Sequence, residues 1–183
     1  MTQPEPALRD ALLAAVPSLR AFAISLTGQV DRADDLVQDT LLRALSNIDR
    51  FERGTNLNAW LFTILRNLFH SEYRKRRREV EDADGSYAAR LNAQPEQGAR
   101  LDFEDFREAL STLPADQREA LLLVGASGFS YEEAANICGC AVGTIKSRVN
   151  RARSRLTQIL AVEDGSDLGV DNVTRAALQA VNG

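Results

Sequence analysis

The chain of 183 residues is poor in the side chains that most often do chemistry: one histidine, two cysteines and one tryptophan. A lone His70 leaves no His–carboxylate or His–nucleophile cluster, and no glycine-rich phosphate loop ends in Lys-Ser or Lys-Thr. The chain is therefore not expected to be an enzyme, nor to need a cofactor or a small-molecule substrate. Cys138 and Cys140 form a C-x-C pair far from His70, short of the four ligands of a structural zinc, so no metal is expected. They stand too close together in a turning segment for an easy disulfide and are expected to act as small packing side chains. No targeting segment and no long apolar run is evident, so the expectation is a cytoplasmic chain without membrane insertion. Proline is scarce between Ser18 and Pro95 and β-branched alternation is absent, which leaves an all-α class.

The net charge is −4, which taken alone argues against nucleic acid. The distribution says otherwise. Acid is packed into Glu79–Asp84 and Glu163–Asp171, and base into Arg74–Arg78 and Lys146–Arg155. Segregated basic patches present local positive potential on a mildly acidic protein. All basic residues but Lys75 and Lys146 are arginine. Guanidinium groups suit bidentate contacts to phosphate and guanine, although an arginine-rich genome would give the same composition.

The densest information lies between Ser130 and Arg155. Ser130 and Glu133 have the spacing of a capping box that opens a helix. Ala135 is small where two helices must approach, and Gly139 suits the positive φ of a tight inter-helix turn. In the helix that follows, Ile145, Val149, Ala152 and Leu156 fall on one side, and Lys146, Ser147, Asn150 and Arg151 on another. Five basic residues and no acid occur from Thr144 to Arg155. This is the pattern of a helix-turn-helix whose second helix enters a major groove. The alternative is an amphipathic surface helix with a solvated basic face. Upstream, Phe103, Phe106, Ala109 and Leu110 share a helical spacing. Pro114 is expected at the first position of another helix, packed by Leu121, Leu122 and Val124 and broken at Gly125–Gly128.

The first half carries two further surfaces. A helix around Asp31–Leu45 has an expected inward stripe of Ala33, Val37, Leu41, Ala44 and Leu45. Its opposite face presents Asp35, Gln38, Asp39 and Leu42, either simply solvated or suited to docking on a basic surface with an apolar centre. A helix from about Asn58 to Arg78 has apolar ridges of Trp60, Ile64, Leu68 and of Leu61, Leu65, Phe69, so Trp60 is assigned to the core. Its other face carries Thr63, Arg66, Asn67, His70 and Arg74. The terminal Arg74-Lys75-Arg76-Arg77-Arg78 run favours the helix dipole but exceeds that need, which points to phosphate. The polar loop Phe51–Leu57 before this helix could cup an unstacked nucleotide.

Acidic, then Gly- and Pro-punctuated sequence from Glu79 to Arg100 reads as a linker, with a possible short helix around Ala88–Asn92. The expected organisation is two helical domains, 8–78 and 102–162, a linker at 79–101, and a tail at 163–183 in which Val173, Ala177 and Leu178 could share a small face.

The stretches Leu19-Arg-Ala-Phe22, Asp34-Asp-Leu-Val-Gln-Asp-Thr-Leu-Leu-Arg-Ala-Leu45, Phe51 and Asn58-Ala-Trp-Leu-Phe-Thr-Ile-Leu-Arg-Asn67 resemble domain two of the extracytoplasmic-function sigma factors. The stretches Leu113-Pro-Ala-Asp-Gln-Arg-Glu-Ala-Leu-Leu-Leu123, Tyr131-Glu-Glu-Ala-Ala135 and Gly143-Thr-Ile-Lys-Ser-Arg-Val-Asn-Arg-Ala-Arg153 resemble their domain four. The resemblance covers most of residues 8–160, in order, and is closest to the EcfG-type general stress branch of alphaproteobacteria. Ala141 stands where family members commonly carry Ser or Pro and supplies no capping oxygen.

The resemblance implies an initiation factor for RNA polymerase. Asp35, Gln38, Asp39 and Leu42 would dock on the clamp helices of the β′ subunit, and domain four would sit on the β flap. The −10 element would be melted and a flipped base held by Thr55, Asn56 and Asn58, with Arg66 and Asn67 facing the adjacent strand and Arg74, Lys75 and Arg76 along its phosphates. Lys146, Ser147, Asn150 and Arg151 would read the −35 element, with Thr144 beside them and Arg148 and Arg155 on phosphate. An anti-sigma factor that hides both polymerase faces is also implied. Two other readings remain: a sigma-like decoy that sequesters an anti-sigma factor without touching DNA, and an ordinary helix-turn-helix repressor, which leaves the first domain without a role.

Overall fold

In the computed structural model, residues 6–81 and 101–160 are described, and these are helical with no strand among them. The chain divides into two compact units. The expected short helix at Ala88–Asn92 and the tail face of Val173, Ala177 and Leu178 lie outside the described residues.

The first unit packs three helices: α1 (Pro6–Thr27), α2 (Val30–Ser46) and α3 (Leu57–Glu81), with a 3₁₀ turn at Ile48–Arg50. One expectation is corrected here. Residues 7–27 are long and apolar enough by composition to cross a bilayer. They read as no such run because Asp10, Pro17 and Arg20 punctuate them. Their apolarity has a core role: Leu12, Ala15, Leu19, Phe22, Ala23 and Leu26 of α1 are buried.

The stripe of α2 is also corrected. Ala33, Leu36, Val37, Thr40 and Ala44 are buried, whereas Leu41 is half-buried and Leu45 is exposed. Thr40 can enter the core because its hydroxyl donates to the Leu36 carbonyl at 2.7 Å, leaving no unmet polar group.

On α3 the buried line is Leu61, Phe62 and Leu65. The Phe62 ring lies 5.0 Å from that of Phe22 on α1. Trp60, Ile64, Leu68 and Phe69, expected as full ridges, are half-buried at the flanks. Trp60 packs on Phe51 with ring centroids 5.2 Å apart, so it anchors the preceding loop rather than the centre of the core.

The second unit holds α4 (Leu101–Ser111), α5 (Ala115–Leu121), α6 (Tyr131–Cys138) and α7 (Val142–Ile159). Pro114 is the residue before α5 rather than its first helical position, with φ −51° and ψ 139°. A π-type turn, Leu122–Ala126, prolongs α5 into the expected break at Gly125–Gly128, and the helix ends within that span at Ala126. The chain leaves it at Gly128, whose φ is +72°.

Arg118 of α5 is buried, and burial pushes its guanidinium pKa down. Its Nη1 donates to the Ser111 carbonyl at 3.2 Å, satisfying an otherwise open acceptor at the end of α4. Cys138 is buried and Cys140 half-buried.

The entry to the helix-turn-helix follows the sequence reading. Ser130 Oγ accepts from the Glu133 amide at 3.1 Å, and the Ser130 amide donates to Glu133 Oε2 at 2.8 Å. Gly139 ends α6 with φ +63°, a conformation that a side chain would strain. Replacing Ser130 by alanine removes one half of this reciprocal cap. The expected loss is about 1 kcal/mol, read as a lower melting midpoint of the second unit. An unchanged midpoint would remove the cap from the stability of this motif.

Candidate nucleic-acid interface

α7 is built as a two-sided element. Ile145, Val149, Ala152 and Leu156 are at most 1% exposed and fasten it to the second unit. Ala141 precedes it without a side-chain cap, and its carbonyl accepts from the amides of Thr144 and Ile145 instead. Outward, Thr144, Lys146, Asn150, Arg151 and Arg155 are exposed, and Ser147 and Arg148 are half-buried.

Two open concavities run between α7 and α5. One, of about 450 Å³, is lined by Gln117, Asn150, Arg151, Ser154, Arg155 and Gln158. The other, of about 380 Å³, is lined by Asp116, Gly143, Thr144, Ser147, Arg148 and Arg151. Arg151 borders both. Lys146 lies on the other flank, its Nζ 5.8 Å from the centre of the Tyr131 ring. This cation–π contact restrains a side chain that is otherwise free to sample many rotamers.

Sequence reasoning missed three contributors to this surface. Asp116 pairs with Arg148 at 3.0 Å, Tyr131 supports Lys146, and Gln117 lines the larger concavity. The first two contacts span 32 and 15 residues respectively (148 less 116, 146 less 131), beyond any local sequence signal.

The first unit carries a second basic surface. Asn67, Arg74, Lys75 and Arg76 of α3 are exposed, and Arg66 is half-buried beside them. Arg74 Nε donates to the His70 carbonyl one turn earlier at 3.2 Å. Near the start of α2, Arg32 has its pKa lowered by burial and by the proximity of Arg76, with Glu72 opposing. Arg32 of α2 thus lies close enough to Arg76 of α3 for the two charges to interact.

The loop before α3 is tightly made. Gly54 has φ +91°. Thr55 Oγ1 donates to the Glu52 carbonyl at 2.7 Å. Asn56 Oδ1 accepts from the Ala59 amide at 3.2 Å and so serves the start of α3. Of the three side chains assigned to base contact, Thr55 and Asn56 thus also build the loop, whereas Asn58 is exposed in the first turn of α3.

On α2, Asp35, Gln38, Asp39 and Leu42 share one exposed face, and Leu42, at its C-terminal end, is 62% exposed. Leu45, one turn on and 39% exposed, extends the apolar patch. Asp34 is not part of it. Its two carboxylate oxygens accept from Arg20 Nε at 2.6 Å and Nη2 at 3.3 Å, which ties α1 to α2. Among the described residues no His/Cys/Asp/Glu cluster could hold a metal.

Comparison with known proteins agrees with this division. The sigma-70 region 2 profile matches residues 12–79, and the sigma-70 region 4 profile matches residues 103–156. The chain is 73% identical over 171 residues to the ECF RNA polymerase sigma factor EcfG of Rhodopseudomonas palustris (strain TIE-1), covering 93% of this chain and 94% of that protein. It is 40% identical over 136 residues to the ECF RNA polymerase sigma factor SigC of Mycobacterium tuberculosis, covering 73% and 72%. Among solved structures, it is similar to the sigma factor RpoE in complex with the anti-sigma factor NepR from Bartonella quintana, with a TM-score of 0.79, 57% identity, and coverage of 87% of this chain and all of that one (100%). The chain belongs to the sigma-70 family, as an extracytoplasmic-function RNA polymerase sigma factor of the EcfG type.

Proposed function

We propose that this sigma factor places core RNA polymerase on stress-type promoters through four surfaces, and that it acts by binding, without catalytic groups of its own. The observation that carries the reading is one chain holding a capped helix-turn-helix with an acid-free basic helix and, in a separate unit, an acidic face ending in an exposed leucine beside a basic helix. Lys146, Ser147, Asn150 and Arg151 read base edges of the −35 element, with Thr144 at the entry of the helix. Arg148 and Arg155 hold phosphate. Thr55, Asn56, Asn58, Arg66 and Asn67 take the −10 strand, and Arg74, Lys75 and Arg76 follow its phosphates.

Asp35, Gln38, Asp39 and Leu42 dock on the β′ clamp, and the second unit docks on the β flap. The working domains are 8–78 and 102–162, joined by 79–101. Because RpoE was solved with the anti-sigma factor NepR, an anti-sigma partner of that kind is proposed here too. The chain acts in the cytoplasm, where polymerase and promoter meet.

Run-off transcription with purified core polymerase and a promoter library tests the whole reading. Wild-type chain should direct initiation from a shared −35 and −10 pattern. Arg151→Ala should lose roughly 1–3 kcal/mol of discrimination at one −35 position, seen as a relaxed preference there. Unchanged preference would mean that α7 meets the groove by another face. No initiation, with retained binding to an anti-sigma factor, would favour the decoy reading.

A further inference from the structure

Tyr131 opens α6 directly after the Ser130 cap, and its side chain is half-buried. Lys146, in the second turn of α7, is exposed, with Nζ 5.8 Å from the centre of that ring. Among the described residues no carboxylate forms an ion pair with Lys146, so the ring is the group that holds its charge. Both ends of the contact stand on fixed elements. The Ser130–Glu133 box holds the first turn of α6, and the buried Ile145 and Val149 anchor α7 on either side of Lys146. An aromatic face attracts an ammonium without accepting one of its hydrogens, so all three N–H donors stay available. A carboxylate in the same place would consume a donor and cancel the charge.

We propose that Tyr131 is a positioning residue for base recognition: its ring narrows the positions open to the Lys146 ammonium and so sharpens the preference for the base that Lys146 meets. The inference rests on the reading of Lys146 as a base-reading residue of α7 and names what gives that contact its selectivity. A point charge on a flexible four-carbon stem discriminates poorly when it is free. Guanine offers it O6 and N7, whereas adenine replaces O6 by an amino donor. Faced with the wrong base, an unrestrained ammonium swings to a nearby phosphate and recovers much of what it lost. Held by the ring, it must give up the cation–π contact to do so, and the wrong base costs more. Selectivity then comes from penalising the alternative contact, not from a stronger attraction to DNA of any sequence. A purely structural role is the weaker competitor, because Ala134, Ala135, Ile137 and Cys138 carry the buried face of α6 and the Tyr131 ring lies at its edge.

The test uses the full chain, the duplex that wild-type chain enriches from a randomised pool, and every single-base-pair substitution of that duplex. Lys146→Ala first identifies the position at which Lys146 discriminates. At that position, Tyr131→Leu should cut the ratio of right-base to wrong-base affinity about two- to fivefold, the scale of one exposed cation–π contact. Ratios at the positions read by Arg151 should stay as they are. Tyr131→Met should do the same as Tyr131→Leu, so the result does not hang on how one replacement packs. Tyr131→Phe keeps the ring and should keep the wild-type ratio. In a Lys146→Ala background, Tyr131→Leu should do nothing further. Unchanged discrimination in folded Leu and Met variants would overturn the proposal. So would an equal loss at every position, or the same loss without Lys146, either of which marks a general effect on α6 and α7. A loss in Tyr131→Phe as large as in Tyr131→Leu would assign the role to the hydroxyl and overturn it too. If Lys146→Ala flattens no position, or the wild-type chain enriches no sequence, the base-reading role of Lys146 or of α7 falls, and this inference with it.

Discussion

Leu42→Asp should abolish capture of core RNA polymerase while leaving the chain folded. Leu42 is 62% exposed at the C-terminal end of the face it shares with Asp35, Gln38 and Asp39, so nothing in the first unit depends on its burial. Thermal stability should therefore move by no more than about 0.5 kcal/mol. In a complex the same leucine, with Leu45 one turn on, would be the apolar anchor beside the acidic stripe, and buried apolar anchors are where interface energy concentrates. A carboxylate there is desolvated one turn from Asp39, so the expected loss is at least about a hundredfold in affinity, close to 3 kcal/mol. Asp35→Arg should act in the same direction by reversing the charge that meets a basic clamp. Co-purification with core polymerase, alongside circular dichroism, reads both effects. Full capture by a folded Leu42→Asp chain would show that α2 docks by another face, and Leu45 would be the first alternative to test.

The two faces of α2 show where sequence periodicity stops being informative. The outward face was legible because Asp35, Gln38, Asp39 and Leu42 recur at helical spacing and three are polar. The inward face was not fully legible, because a threonine entered the core and two leucines stayed outside it. Thr40 reads as polar until its hydroxyl is seen to satisfy the Leu36 carbonyl. Leu45 reads as core until it is seen beside Leu42 on a patch that hydrophobicity alone cannot tell from an interior.

In the second unit the opposite held. The Ser130–Glu133 cap, the Gly139 turn and the Ile145, Val149, Ala152 and Leu156 stripe were all legible, because each is set by residues within a few turns. Asp116, Tyr131 and the buried Arg118 were not, because their partners are brought close only by the packing of α4, α5, α6 and α7. Electrostatic partners of a recognition helix are a tertiary property, and local sequence carries no trace of them.

The same distinction shapes the expectation for promoter opening. Thr55, Asn56 and Asn58 suit base contact by chemistry, since hydroxyls and amides can meet a base edge in a confined loop. Their structural duties differ. Asn56→Ala would remove the acceptor for the Ala59 amide and cost about 1 kcal/mol of helix stability, which would confuse any functional reading. Asn56→Asp keeps that acceptor while replacing the amide donor by a charged acceptor. Asn58→Ala takes a side chain from an exposed site and should leave the melting curve unchanged.

In holoenzyme, the Asn56→Asp/Asn58→Ala chain should lose both amide donors to a flipped base. Stranding a base edge costs about 1–3 kcal/mol, so open complexes should fall roughly tenfold or more. The new carboxylate acts in the same direction through repulsion of the strand phosphates. Permanganate reactivity of −10 thymines should drop accordingly, while the −35 footprint, made by α7, persists. Normal thymine reactivity in this double variant would move strand capture out of the Gly54 loop and onto the Arg66–Asn67 face of α3.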